Sequence, residues 1–331
     1  MKIVADNAIP FLDGVLEPFA EVCRRPGRKI SAEDVRDADA LVIRTRTRCD
    51  ETLLAGSRVR MIATATIGFD HIDLAWCRRN GIEVATAAGC NARGVLQWVA
   101  AVLALLARRQ GWTPGQRTLG VVGVGHVGSL VKNYAEAWGF RVLCCDPPRE
   151  ERERCGFLPL EEVARQADIL TFHTPLDDST RHMAGGRLFR MMKPGAVLLN
   201  SSRGEVVDGE ALLRSELEWA LDVWEHEPEL NPELLRRALV ATPHIAGYSL
   251  QGKANATALA VAALARKFGL PVEGWYPPEV TPSQPHAISW QELVRTIVGA
   301  YDIEAESRRL KQQPSAFESL RDRYDYRQEY F

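Results

Sequence analysis

The sequence predicts an α/β protein of two domains, each built on a parallel sheet. Three observations carry this. The chain has 331 residues, more than a single domain of roughly 100–200 residues holds. Short apolar runs alternate with segments of helical spacing, the pattern of strands joined by helices in a parallel sheet. That alternation runs from the first residues and starts again near Thr118.

In the first stretch the runs 2–5, 40–44, 59–63 and 82–86 read as buried strands. Ser31-Ala-Glu-Asp34 reads as a capping box, and Asp50 as the cap of a turn of helix through Leu54. Asn91 precedes a longer helix over 92–109, with Val95, Trp98, Val99, Val102, Leu105 and Leu106 at helical spacing, closed by Gly111 and Pro114. The second stretch gives strands over 119–122, 140–145, 169–173, 196–200, 220–223 and 239–241. A helix runs from Val127 to Trp138 and stops at Gly139. Asn231-Pro232 reads as an N-cap followed by proline at the first helical position. A further helix covers 251–268, residues 270–289 are proline-rich and extended, and 290–331 is charged and helical with spaced aromatics. That last segment is too small for a core of its own and is expected to pack on the body or on a partner subunit.

Composition excludes several classes of function. Hydrophobic residues at 46% and charged residues at 25% supply an ordinary core without help from disulfides or metals. A net charge of −2 gives no nucleic-acid footprint, so a small anion has to be met by local arginines. The most apolar stretch, 95–107, contains Gln97 and is too short to cross a bilayer. The N-terminus starts directly as a strand with no leader pattern. Seven cysteines at scattered spacings, without a C-x-x-C, predict reduced thiols in a cytoplasmic protein and no metal site.

The chemistry starts at Gly123-Val-Gly125-His126-Val127-Gly128. This G-x-G-x-x-G follows an apolar strand and opens an amphipathic helix, and Asp146 ends the next strand. Gly123 permits the tight turn, Gly125 lets the backbone approach a pyrophosphate, and Gly128 lets helix and strand pack closely. The anion then faces a helix N-terminus. Asp146 is placed to accept hydrogen bonds from ribose hydroxyls and to repel a 2′-phosphate, which predicts NAD over NADP.

Three further segments each follow a strand: Asn200-Ser-Ser202-Arg203-Gly204, Leu221-Asp222-Val-Trp-Glu-His-Glu227-Pro228 and Thr242-Pro-His244-Ile-Ala-Gly247-Tyr248. In open α/β sheets ligands bind at the carboxyl ends of strands. Oxidation of a 2-hydroxy acid needs a cation for the carboxylate, a base for the hydroxyl proton and a carboxylate to orient that base. Arg203, His244 and Glu227 match those roles in that order. Singly, each also reads as an ordinary loop residue; together, downstream of a dinucleotide motif, they make a catalytic set. In the first stretch Arg44, Arg46 and Arg48 alternate, so an extended chain puts them on one side as a phosphate cradle; they read equally as a solvated basic turn. Thr64 and Thr66 end another strand before Gly68, a further place for an anion. Of the other histidines, His71 reads as fixing a loop, His126 fills a variable slot in the glycine turn, and His173 reads as structural.

These segments resemble the D-isomer-specific 2-hydroxyacid dehydrogenases over about residues 1–268. The resemblance implies two Rossmann-like or flavodoxin-like parallel-sheet domains with a cofactor cleft between them. The substrate domain would take 1–90 and 250–268, the NAD-binding domain 91–249, and a C-terminal dimerisation region 269–331. It makes Arg203, Glu227 and His244 catalytic. It places NAD on Gly123, Gly125, His126, Val127, Gly128, Asp146, Thr174, Ser202, Asp222 and Gly247. A closer similarity, to a branch of that family acting on a phosphorylated four-carbon sugar acid, rests on four stretches. They are residues 1–7, Arg44-Thr45-Arg46-Thr47, residues 63–71 with 89–91, and 244–248; the segment 298–331 resembles that branch's extra region. It implies 4-phospho-D-erythronate as substrate, touched by Thr45, Thr66 and Tyr248, with Arg44 and Arg46 of the arginine run read above as the phosphate cradle, in a homodimer on the route to pyridoxal 5′-phosphate. The alternatives are a relative acting on 3-phosphoglycerate, glycerate or hydroxypyruvate, and an NAD-sensing binding protein. The chain departs from the family pattern between Leu213 and Asp222, where it is several residues short, and it stops early at Phe331.

Overall fold

The computed structural model describes all residues, Met1–Phe331. They form two compact units, Met1–Asn91 with Leu250–Ser283, and Ala92–Ser249 with Gln284–Phe331.

Unit 1 has five strands, β1 (Lys2–Asp6), β2 (Glu21–Arg25), β3 (Ala40–Ile43), β4 (Met61–Thr64) and β5 (Glu83–Thr86). All neighbours are parallel, in the order β2-β1-β3-β4-β5. Strands β3 and β4 are buried along their whole length, which is why they read as unbroken apolar runs. Strand β2 was not legible: its Glu-Val-Cys-Arg-Arg is a half-exposed edge, where charge protects against further pairing. Ser31 and Asp34 close the expected capping box, and Asp50 caps the turn through Leu54. The helix Leu250–Phe268 returns to this unit and packs Val261 and Leu264 against Ile3, Val42 and Met61.

Unit 2 has six parallel strands, β6 (Thr118–Val122), β7 (Arg141–Cys145), β8 (Ile169–Phe172), β9 (Val197–Asn200), β10 (Glu218–Leu221) and β11 (Val240–Ala241). Their order is β11-β10-β9-β8-β6-β7. The order reverses beside β6, so the glycine turn that follows β6 lies at the topological switch point. The helix Ala92–Gln110 is buried from Val95 to Ala107, as expected of a helix apolar on all sides. The helix His126–Trp138 ends at Gly139, whose φ of 100° forms the left-handed cap. Strand β10 stops at Leu221, two residues before the expected end. The backbone N–H of Asp222 still bonds to Asn200 O, but its side chain serves the loop beyond β11. The short connection before β10 is closed by a turn over 214–217, where Ser215 Oγ donates to Leu212 O (2.8 Å).

The C-terminal helices Trp290–Ala300, Ile303–Gln312 and Phe317–Asp322 belong to unit 2. Trp290 stacks on Trp112 and meets Phe140 edge-on, and Phe331 packs against Tyr134 and Trp138. Burying aromatics of this size contributes about 1.5–3 kcal/mol each. The edge of β11 is covered as well: Ala241 N–H donates to Ser307 Oγ (3.0 Å). All seven cysteines are free thiols, and burial pushes Cys49 and Cys145 up to about 12. No helix is long and apolar enough to cross a membrane.

Candidate active site

The carboxyl ends of the unit 2 strands carry the candidate cofactor residues. Gly123 has φ 81°, and a Cβ there would lie 2.8 Å from His173 O. A Cβ on Gly128 would lie 2.0 Å from Gly123 O, so the helix meets the turn only without one. Gly125, by contrast, has nothing within 4 Å of its Cβ position. That open space faces the first backbone N–H groups of the His126–Trp138 helix, the surroundings a pyrophosphate needs. His126 is exposed and Val127 half-buried in the first turn. Asp146 accepts from Val124 N (2.7 Å) through one oxygen and from Arg149 N (3.0 Å) through the other. Each oxygen keeps a second acceptor position for a ribose hydroxyl. These residues therefore fit a dinucleotide.

His244 and Glu227 form a pair, with 2.8 Å between His244 Nδ1 and Glu227 Oε2. An ionised carboxylate only accepts, so Nδ1 carries a proton toward Glu227, and in the neutral ring Nε2 is the acceptor. The other oxygen, Glu227 Oε1, accepts from Trp224 N (2.9 Å). Burial raises the Glu227 carboxyl, but His244, its hydrogen bond, the Trp224 amide and Arg321 outweigh that and leave it below its ordinary value. The Arg203 segment lies against the same loop, because a Cβ on Gly204 would come 2.1 Å from the Trp224 carbonyl. Asn200 shapes the turn, donating to Arg203 O (2.7 Å) and accepting from Ser202 N and Oγ.

His244 itself sits at φ 58°, a left-handed conformation that costs a non-glycine residue about 1–2 kcal/mol. The neighbours hold it there. His244 N donates to Asp222 O (2.7 Å). The Asp222 carboxylate, 1% exposed, accepts from Thr242 Oγ1 (2.6 Å), Ile245 N (2.8 Å) and Ala246 N (2.9 Å). Burial pushes this carboxyl up, against the pull of His244 and the three donors. One acceptor position on Oδ2 remains. From the other side Arg327 donates to the carbonyls of Ile245 (3.0 Å), Tyr248 (3.1 Å) and Ala246. Tyr248 Oη accepts from Arg321 Nε (3.0 Å). Gly247 is half-buried in this loop, and Thr174, just past β8, contacts Met183.

In unit 1 the candidate substrate residues also follow strand ends. Arg44 Nε donates to Asp6 Oδ2 (2.9 Å), a fully buried carboxylate at the end of β1. The arginine alternation does not survive as an extended face. Residues 45–46 form a turn in which Thr47 N bonds back to Arg44 O (3.3 Å), and Arg48 turns to Asp50 in solvent. Thr45 is exposed and Arg46 half-buried. Thr66 shares a 2.6 Å hydroxyl contact with Thr64.

Among the remaining histidines, burial pushes the ring of His173 down to about 3, so it stays neutral near pH 7. The sequence reading missed Arg321 and Arg327. Both lie in a charged C-terminal segment whose residues read as a solvated helix face, and only their burial against the His244 loop sets them apart.

Residues 96–246 match the family described as D-isomer specific 2-hydroxyacid dehydrogenase, NAD binding domain. Over 342 aligned positions the chain is 46% identical to a protein of Bacteroides fragilis named erythronate-4-phosphate dehydrogenase, covering 99% of this chain and 97% of that one. It is 41% identical to the protein of the same name from Escherichia fergusonii, over 100% of this chain and 92% of the relative. Among solved structures it is similar to D-lactate dehydrogenase of Aquifex aeolicus complexed with NAD and lactic acid. The TM-score is 0.66 at 25% identity, over 86% of this chain and 100% of that one. The NAD-bound 3-phosphoglycerate dehydrogenase of Entamoeba histolytica superposes with TM-score 0.69 at 25% identity, over 85% and 99% of the two chains.

Proposed function

Because this chain belongs to the erythronate-4-phosphate dehydrogenases, within the D-isomer-specific 2-hydroxyacid dehydrogenase family, we propose that it oxidises 4-phospho-D-erythronate at C2. The product is (R)-3-hydroxy-2-oxo-4-phosphooxybutanoate, on the way to pyridoxal 5′-phosphate. The observation that carries this reading is likeness over the whole length to relatives of that name, joined to the His244–Glu227 pair. NAD, when bound, supplies the acceptor for the hydride that leaves C2.

The chain's own residues do the rest. Gly125, His126 and Val127 present backbone N–H groups to the pyrophosphate, Gly123 and Gly128 shape the turn that carries them, and Asp146 takes the ribose hydroxyls. Thr174, Ser202, Asp222 and Gly247 complete the cofactor's surroundings. Arg203 holds the substrate carboxylate. His244 Nε2 takes the C2 hydroxyl proton as the C2–H bond breaks, and Glu227 fixes the tautomer and stabilises the imidazolium. Tyr248 donates its phenol to the substrate. Arg44, Thr45, Arg46 and Thr66 of unit 1 hold the phosphate. In this reading unit 1 is the substrate domain, unit 2 the NAD domain, and the chain a cytoplasmic homodimer assembled through 269–331, which sedimentation tests.

The decisive assay supplies NAD and 4-phosphoerythronate, traps the 2-oxo product and follows NADH. We expect turnover by the wild-type chain and a loss of about 10²–10⁴ in kcat for His244→Ala, with NADH binding kept. Turnover of 3-phosphoglycerate or glycerate but not 4-phosphoerythronate refutes the substrate and leaves the chemistry. NADH binding without turnover of any 2-hydroxy acid refutes both.

A further inference from the structure

The C-terminal helix Phe317–Asp322 brings one cation to the proton-transfer pair. Arg321 keeps only 18% of its side-chain exposure, while Arg323 two residues on is exposed. One edge of its guanidinium donates Nε–H to Tyr248 Oη (3.0 Å). From the other edge, Nη1 lies 3.9 Å from Glu227 Oε2, the oxygen that also holds His244 Nδ1. The segment is anchored behind it by Arg327, 8% exposed, which bonds the carbonyls of the His244 loop and Gly94 O and lies 4.2 Å over the Tyr301 ring.

We propose that Arg321 is a positioning residue for catalysis, which makes the C-terminal segment a working part of the active site. This rests on the functional reading above. Two physical consequences follow from its place. A phenol oxygen that accepts from Arg321 has its own proton directed elsewhere, so Tyr248 is held as a donor. A permanent cation beside Glu227 competes with a His244 imidazolium for the same oxygen, which favours the unprotonated, proton-accepting ring. Asp222 just past β10 and Glu227 pull the other way, Arg327 adds a second cation, burial keeps Tyr324 neutral, and the Tyr248 phenol lies alongside.

The test is the titration of the His244 ring, followed by NMR on the full-length chain with labelled histidine and a His244→Asn sample for assignment. In Arg321→Gln we expect the His244 midpoint to move up and kcat to fall about tenfold, with the KM for NAD unchanged. Arg321→Lys, which keeps the charge, should hold the wild-type midpoint. Tyr248→Phe, which removes the phenol oxygen and leaves the cation, should lower kcat/KM without moving the midpoint. An unmoved midpoint in Arg321→Gln, or an equal shift in Arg321→Lys, overturns the proposal. If the Gln variant does not fold, Arg321→Met, which removes the charge at similar volume, should move the midpoint up, and an unmoved midpoint there overturns it instead. The NMR readout needs no substrate. A shifted midpoint in a chain that turns over no 2-hydroxy acid therefore upholds the electrostatic role of Arg321 and sinks the functional reading alone.

Discussion

The carboxyl ends of the two sheets are built to different tolerances. In unit 1, Arg44 leans on a single buried carboxylate, Asp6, and its neighbours Thr45 and Arg46 sit on an open turn. In unit 2, His244 is held by Glu227 on its ring, Asp222 on its backbone and Arg327 on the carbonyls beyond it. The difference follows from the work each end is proposed to do. A dianionic phosphate is attracted from any direction and tolerates a cradle that shifts. A proton transfer fails when the base moves by an ångström. The strained φ of His244 persists only because so many contacts over-determine it.

The largest effect expected from this contrast is at the closely packed glycine turn of unit 2. Gly128→Ala puts a Cβ 2.0 Å from Gly123 O, so the backbone must move. Overpacking of this kind costs about 1–3 kcal/mol, and Tm should fall on the order of 5 °C even without cofactor. Gly125→Ala meets open space and should leave Tm alone while weakening NADH binding at least tenfold, since its methyl occupies the room left for the pyrophosphate. Calorimetry and fluorescence titration of the two variants separate packing from ligand. Equal Tm loss in both would mean that the space beside Gly125 is not a ligand site.

An intermediate effect is expected in unit 1. Arg44→Gln removes a cation and should raise the KM for the phosphorylated substrate about 10–100-fold, with kcat changed less than threefold, because the phosphate is remote from the reacting carbon. Asp6→Asn leaves the cation but weakens its support. It should raise KM less than Arg44→Gln, and cost stability through the buried site where Asp6 also accepts Ala8 N (3.0 Å). If kcat falls as much as KM rises in Arg44→Gln, the phosphate cradle is not separable from the chemistry and the contrast between the two ends fails.

What could be read from the sequence divides along the same line. The glycine turn and Asp146 follow local rules, a strand, a turn and a helix start, and their spacing is enough to place them. Glu227 and His244 meet across two loops, and only the strand each follows, together with the family resemblance, singled them out. Buried strands such as β3 and β4 announce themselves by apolar runs. Edge strand β2 does not, because its exposed Glu21 and Arg25 carry the charge of a surface loop. The alternation of Arg44, Arg46 and Arg48 misled, since the strand ends at Ile43 and a turn scrambles the period. Arg321 and Arg327 were illegible for a different reason. Contacts across more than 70 positions, such as Arg327 on Ile245 O, leave no periodic trace, and an arginine in a short charged segment looks the same whether it faces water or the His244 loop.

The smallest effect concerns pH, and it tests how firmly unit 2 holds its pair. In the folded chain the Glu227 carboxyl lies below its ordinary value, near 4.3 in an unfolded chain. The ionised group therefore contributes stability that is fully present above the unfolded value and is lost as pH falls through the folded one. Glu227→Gln removes the charge and with it this dependence. The Tm difference between wild type and variant should be flat above about pH 5, on the order of 2 °C, and should shrink below about pH 4. A difference that grows toward acid would mean that the carboxyl is raised by its burial instead of lowered by His244 and Arg321. The charge network around His244 would then be weaker than the packing that encloses it.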